Sequence, residues 1–261
     1  MGDEVFMKTF AGRTPFATQA SPDDRPAFYA ADLGGWRDYL TLLHPPYTLW
    51  HLSYVVLGVA LAPTVRYDRL GATLLAFFLA VGIAAHALDE ISGRPLRTHI
   101  RDSVLRVLAG AGLAGAVALG IAGALLVSVS LLPFVAFGVF IVLAYNLEWF
   151  RGRFHTDVWF ALAWGVFPFF TAYWVSAERI EPSCLFGALA VLALSLAQRT
   201  LSNRVRTLRR KADSVQGTVV YAGGSTETLY KASLIAPDER ALAFLSMATV
   251  ALSAGALVAR L

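Results

Sequence analysis

The sequence predicts an all-α protein, a polytopic transmembrane helical bundle of about seven spans. Three observations carry that prediction. Of the 261 residues, 57% are hydrophobic and only 15% charged, with a mean hydropathy of +0.58; a soluble domain of ordinary composition is far less apolar. The apolar residues gather into uncharged runs of about 20, the length a helix needs to cross the hydrocarbon core. Short junctions rich in Arg, Asp, Glu and Pro separate the runs.

The elements follow in order. Residues 1–45 are mixed and polar, with "TQASPDDRP" as a loop, and read as a cytoplasmic lead-in without the basic-then-apolar pattern of a cleaved signal peptide. The membrane domain covers 46–261. Its spans fall at roughly 47–63, 68–90, 103–127, 129–148, 156–176, 181–200 and 239–260. "APTVRYDR" joins the first two and "SAERIEPS" the fifth and sixth. The small residues of "AGAGLAGAVALGIAGA" suit close helix packing in the third span. Trp159, Trp164 and Trp174 read as packing or interfacial aromatics, while Gly165 and Pro168 would loosen the fifth span, either as a tolerated kink or to open a lateral cavity for an apolar chain. Residues 201–238 read as a cytoplasmic loop. The single cysteine, Cys184, excludes an internal disulfide.

Charge sets the orientation. With an odd number of spans the termini fall on opposite sides, and 18 of the 22 Lys and Arg fall on the N-terminal side, the exceptions being Arg66, Arg69, Arg179 and Arg260. The positive-inside rule therefore places the N-terminus and the large loops in the cytoplasm, with the chain in the plasma membrane.

All five histidines fall at that same end. His44 and His51 flank the entry to the first span, His86 and His99 bracket the exit from the second, and His155 opens the fifth. Asp89, Glu90, Glu148 and Asp157 join them. On a helix, His86, Asp89 and Glu90 stand at i, i+3 and i+4 and project to one face. Ionisable groups at membrane depth are costly and mark sites. Imidazole with carboxylate suits zinc, iron or manganese; carboxylates alone suit magnesium. Polar helix caps at a membrane boundary are the bland alternative. A second cluster, "QRTLSNRVRTLRRKADS", carries Asn203, Arg206, Arg209 and Arg210. It suits anionic lipid heads or the phosphate oxygens of a lipid substrate. It is too short, and too close to the membrane, for a nucleic-acid partner.

The order of these segments resembles the UbiA-type intramembrane prenyltransferases. "DYLTLLHPPYTLWHLSYVVLGVALAP" resembles their first span, and "HALDEISGRPL" falls where the family carries its first Asp-rich motif and an Arg-Pro pair, with His86 and Ala87 in place of Asn and Asp. "AYNLEWFRGRFHTDVWFALAWGVFPFFTAYW" is similar to the family's segment leading into a Gly- and Pro-bearing span. The resemblance covers roughly residues 36–210. It implies a helical bundle holding a polyprenyl diphosphate, with magnesium helping the diphosphate leave as an acceptor attacks the allylic carbon. Carried over, Asp89 or Glu90 would hold the metal, Arg94 would touch diphosphate, and Tyr145 with Arg153 would line the acceptor side. Asp89, Glu90 and Tyr145 are then the expected catalytic residues. Arg94, Arg153, Asn203, Arg206, Arg209 and Arg210 are the expected substrate contacts. The alternative on the same scaffold is a metal-dependent oxidoreductase or hydrolase, with iron, zinc or manganese held among His44, His51, His86, His99, His155 and the nearby acids. A third reading is a non-catalytic lipid-binding protein.

Overall fold

The computed structural model describes residues 27, 29 and 34–261; most of the expected lead-in lies outside that range. Helix α1 (Trp36–Leu42) is short and leads into α2 (Pro45–Leu61). Five long helices follow: α3 (Tyr67–Ile91), α4 (Asp102–Leu126), α5 (Val129–Asn146), α6 (Asp157–Ala177) and α7 (Pro182–Lys211). A β-hairpin of β1 (Gly217–Val220) and β2 (Thr226–Leu229) precedes the last helix, α8 (Lys231–Val258).

Six helices, α3 to α8, are long and apolar enough to cross a membrane. Their outward faces carry bare apolar side chains such as Leu125, Phe186, Leu189, Phe244 and Leu252, the surface that hydrocarbon solvates. The first expected span, α2, has 17 residues and falls short of that set. Prolines explain its length. Pro45 occupies the first turn, where its missing N–H is harmless, and Pro63 forces Ala62 into an extended conformation that ends the helix.

Helix α2 lies in the middle of the bundle, packed against α6 and α8. Trp50, Tyr54, Phe169 and Tyr173 are fully buried in this core. The α2–α6 contact depends on Gly58, since a Cβ there would lie 2.3 Å from the Phe169 carbonyl oxygen. The α3–α4 contact depends likewise on Gly112, which faces the Leu79 carbonyl.

Two helices widen locally into π-helical turns, α3 over Phe78–Ala85 and α6 over Leu162–Val166. Such bulges are frequent at functional sites. Both lie in the segments that line the polar cavity described below.

Two boundaries differ from the sequence expectation. Helix α7 continues to Lys211, through residues 201–211 that the sequence places in a loop. At about 1.5 Å per residue its 30 residues reach about 45 Å, more than the roughly 30 Å hydrocarbon core. The basic end of this helix projects past the core, and Arg209, Arg210 and Lys211 in its last turn complement the helix dipole. Helix α8 begins at Lys231, not near 239. Pro237 sits in its second turn, and Glu239 binds Arg209 at 2.8 Å while Asp238 meets Arg204 at 3.3 Å. These ion pairs tie the projecting ends of α7 and α8 together.

Candidate functional site: a polar cavity at one end of the bundle

Four histidines reach one cavity of about 130 Å³ from four different parts of the chain. His44 stands in the left-handed region immediately before Pro45, and His51 lies further along α2. His86 follows the π-helical turn of α3, and His155 sits in the loop before α6. In three of them Nδ1 meets a backbone carbonyl: His44 at Leu42 (2.9 Å), His86 at Gly82 (3.2 Å) and His155 at Tyr145 (3.1 Å). A carbonyl only accepts, so Nδ1 donates and Nε2 of the neutral ring is left with its lone pair. The His44 and His86 rings pack with centroids 4.1 Å apart. Tyr29 packs on His44 at 5.5 Å. Burial pushes the His44 imidazole below its ordinary value, against the Leu42 carbonyl and Asp89, which favour its charged form. Burial likewise raises the Tyr29 phenol well above its ordinary value.

Arginines from α7 form the opposite wall. Arg199, Arg206 and Arg210 follow one another at helical spacing along the same face. Arg199 binds Asp157 at 2.7 Å and lies over the Phe160 ring at 5.0 Å. Arg206 donates to Asn203 Oδ1. The Arg210 guanidinium and the Asp89 carboxylate make no hydrogen bond or ion pair among the described residues. Three buried polar atoms of the cavity-lining side chains also lack a partner there: Tyr145 Oη, His51 Nδ1 and Gln198 Oε1. Buried polar groups are almost always paired, so three such atoms around one small cavity point to a bound group or water.

Two further cavities adjoin it. A polar outer chamber of about 330 Å³ shares Asp89, Asn146, His155 and Arg210 with the inner cavity and adds Arg94, Arg97 and Glu148. An apolar cavity of about 470 Å³ lies between α3, α4, α5 and α6. It begins next to the inner cavity: Ala80 faces the apolar space and Val81 the polar one, with Phe167 and Trp164 dividing in the same way on α6.

The expected site residues divide into two groups. His44, His51, His86, Asp89, Tyr145, His155, Arg206 and Arg210 converge on the inner cavity. Glu90 does not: its fully buried carboxylate accepts from Leu96 N (3.0 Å), Thr98 N (2.9 Å) and the Thr98 hydroxyl (2.8 Å). One residue beyond Asp89 is 100° around the helix, enough to turn Glu90 from the cavity to the following loop. Arg94 binds the Thr98 and Ile100 carbonyls and Asp102, which engages its guanidinium. His99 is mostly exposed, with its ring 3.5 Å from Asp38. Asp157 binds Arg199 and Asn203, so Asn203 acts as a support. Arg209 is held by Glu239, Arg153 is exposed, and Glu148 faces only the outer chamber. Among the described residues, no group of three or more His, Cys, Asp or Glu is placed to hold a metal ion.

Sequence reasoning missed several contributors. Tyr29, Tyr47, Gln198 and Ser202 line the cavity. Gln198, an uncharged polar residue ending the apolar run of α7, was the available signal. Asp38 is buried and accepts from Gly34 N and His99 N, both at 2.8 Å, tying α1 to the loop after α3. Comparison of the chain with protein-family models, with curated proteins and with solved structures found no match.

Proposed function

We propose that this protein is an integral-membrane enzyme acting on a polyprenyl diphosphate or a related phosphorylated lipid, transferring the prenyl group, with its active face on the cytoplasmic side of the plasma membrane. One observation carries the reading: a small cavity walled by arginines and imidazoles opens beside a larger apolar one. An amphiphile has that shape. The inner cavity of about 130 Å³, with its guanidinium and imidazole walls, would meet the anionic head group. The apolar cavity of about 470 Å³ lies within the range of ligand sites and would receive hydrocarbon.

In this reading Arg206 binds the diphosphate oxygens, with Arg199 fixed beside it by Asp157, and Arg210 stands where the inner cavity meets the outer chamber. Guanidinium forks match phosphate oxygens and stabilise the negative charge that grows on the leaving group as the allylic C–O bond breaks. Tyr145 offers an unpaired hydroxyl to the same group. Aromatic wall residues, Trp164 and Phe160, exclude water from the allylic carbon. The divalent ion that the family resemblance implies would be held by Asp89 and by the diphosphate's own oxygens, and magnesium bound in that way would lend the leaving group further charge stabilisation. The imidazoles are donors that suit a transition metal, but among the described residues no three His, Cys, Asp or Glu side chains are placed to share one ion, so the oxidoreductase or hydrolase reading is the second choice.

The test is binding of farnesyl thiodiphosphate, a slowly ionising analogue, to the full chain in lipid nanodiscs. Arg206→Gln removes a charge-assisted hydrogen bond of about 1.5–3 kcal/mol and should weaken binding about 10- to 100-fold. An absence of binding, or binding indifferent to Arg206→Gln, overturns the proposal. Tight binding without transfer to any acceptor would favour the lipid-binding reading instead.

A further inference from the structure

The outer chamber is not needed to hold a lipid. Its wall is polar, it opens to water beside the exposed Gly93, Arg97 and Glu148, and it meets the inner cavity at Asp89, Asn146, His155 and Arg210. Its charges differ in how far they are engaged. Arg94 is neutralised by Asp102 and two carbonyls, whereas Arg210 has no partner among the described residues. His155 is fixed at the neck by its Nδ1 hydrogen bond to the Tyr145 carbonyl and by stacking on the Tyr145 ring, centroids 4.4 Å apart. That hydrogen bond leaves Nε2 as the ring's acceptor.

We propose that the outer chamber binds the second substrate, a small water-soluble molecule that places an anionic group on Arg210 and presents a hydroxyl or amine to Nε2 of His155. The inference rests on the prenyl-transfer reading for its chemistry. The acceptor oxygen or nitrogen forms the bond to the allylic carbon, the C–O bond to diphosphate breaks with its electron pair on the leaving oxygen, and the acceptor's proton passes to His155 Nε2. The lipid enters from the bilayer and the acceptor from water, and the two meet at the neck.

Two experiments on the full chain in lipid nanodiscs test this. In the first, Gly93→Cys places a thiol in the chamber where a Cβ meets open space; the native Cys184 is buried. Its labelling by anionic 2-sulfonatoethyl methanethiosulfonate should outpace labelling by the cationic trimethylammonium analogue at least about threefold, relative to free cysteine, and Arg210→Gln should abolish that preference. An unselective chamber, or selectivity indifferent to Arg210, overturns the proposal. No diphosphate is present, so this result is independent of whether the inner cavity binds one. In the second, water serves as the acceptor in slow hydrolysis of geranyl diphosphate. His155→Gln should lower kcat at least tenfold and leave KM within about twofold, and full kcat in a folded His155→Gln variant overturns the assignment.

Discussion

Replacing Glu90 with Gln separates a structural carboxylate from a functional one. Oε1 of Glu90 accepts from the Thr98 N–H and hydroxyl, and Oε2 accepts from the Leu96 N–H. The carboxylate and Leu96 are fully buried, and Thr98 nearly so. A Gln amide has one oxygen. If that oxygen keeps both Thr98 bonds, its NH2 group confronts the Leu96 N–H, leaving two donors face to face with no acceptor. The loss is one charge-assisted hydrogen bond, about 1.5–3 kcal/mol, plus an unsatisfied buried N–H, about 1–3 kcal/mol. A total of about 4 kcal/mol lowers Tm by on the order of 10 °C for a chain of this size. The assay is thermal unfolding of the full chain in nanodiscs, with Asp89→Asn beside it. The Asp89 carboxylate has no hydrogen-bonding partner among the described residues, so that variant should melt within about 2 °C of the parent. If Glu90→Gln melts with the parent yet loses diphosphate binding, the clamp argument is wrong and Glu90 belongs to the chemistry.

Two further predictions follow from packing and burial. Gly58→Ala drives a methyl into the Phe169 carbonyl at 2.3 Å, where backbone must move, and should cost about 3 kcal/mol; an unchanged melting temperature would refute the close α2–α6 approach. His44 has its protonation disfavoured by burial relative to its ordinary value of 6.5. Below pH 6.5 the unfolded chain takes up a proton that the folded chain resists, so stability is level above that pH and declines as pH falls beneath it. Melting curves from pH 8 to pH 5 should show this decline, with His44→Gln removing that part of it.

The helices were legible because composition and run length in a membrane chain follow directly from solvation. The gathering of His44, His51, His86 and His155 was legible for a related reason: apolar runs push every polar side chain to a helix end. What the pattern could not supply was direction around the helix. His86, Asp89 and Glu90 share a face at the resolution of a helical wheel, yet Asp89 enters the cavity and Glu90 turns to the loop. The π-helical turns change the angular register just before His86 and after His155, and no residue in "FLAVGIAA" announces one. The extension of α7 to Lys211 was hidden because basic residues read as loop, although Arg and Lys are good helix formers. The start of α8 was hidden because residues 231–238 are too polar to read as part of a span, and Pro237 lies inside the helix, where it removes one backbone hydrogen bond.

Backbone strain at this end of the bundle gives the division of charges its meaning. His44, Arg94, Arg97, Glu148, Phe150 and Arg151 all have φ between 46° and 61°, in the left-handed region that costs a non-glycine residue about 1–2 kcal/mol. Such conformations persist only where surrounding contacts over-determine them, and they cluster at functional sites. Here the contacts can be named. Glu90 gathers the loop from Leu96 to Thr98, Arg94 ties that loop to Ile100 and Asp102, and His44 fastens its own strained turn to the Leu42 carbonyl. Polar groups whose hydrogen bonds hold these turns in place are structural, however suggestive their position in the sequence. Those that remain without partners among the described residues, Asp89, Arg210 and the hydroxyl of Tyr145, face the space that the strained turns enclose. Four of the strained residues, His44, Arg94, Arg97 and Glu148, stand in the walls around these groups. The strain is consistent with walls kept in position for a ligand, and relaxing one wall by Arg94→Ala should loosen ligand binding as well as the loop.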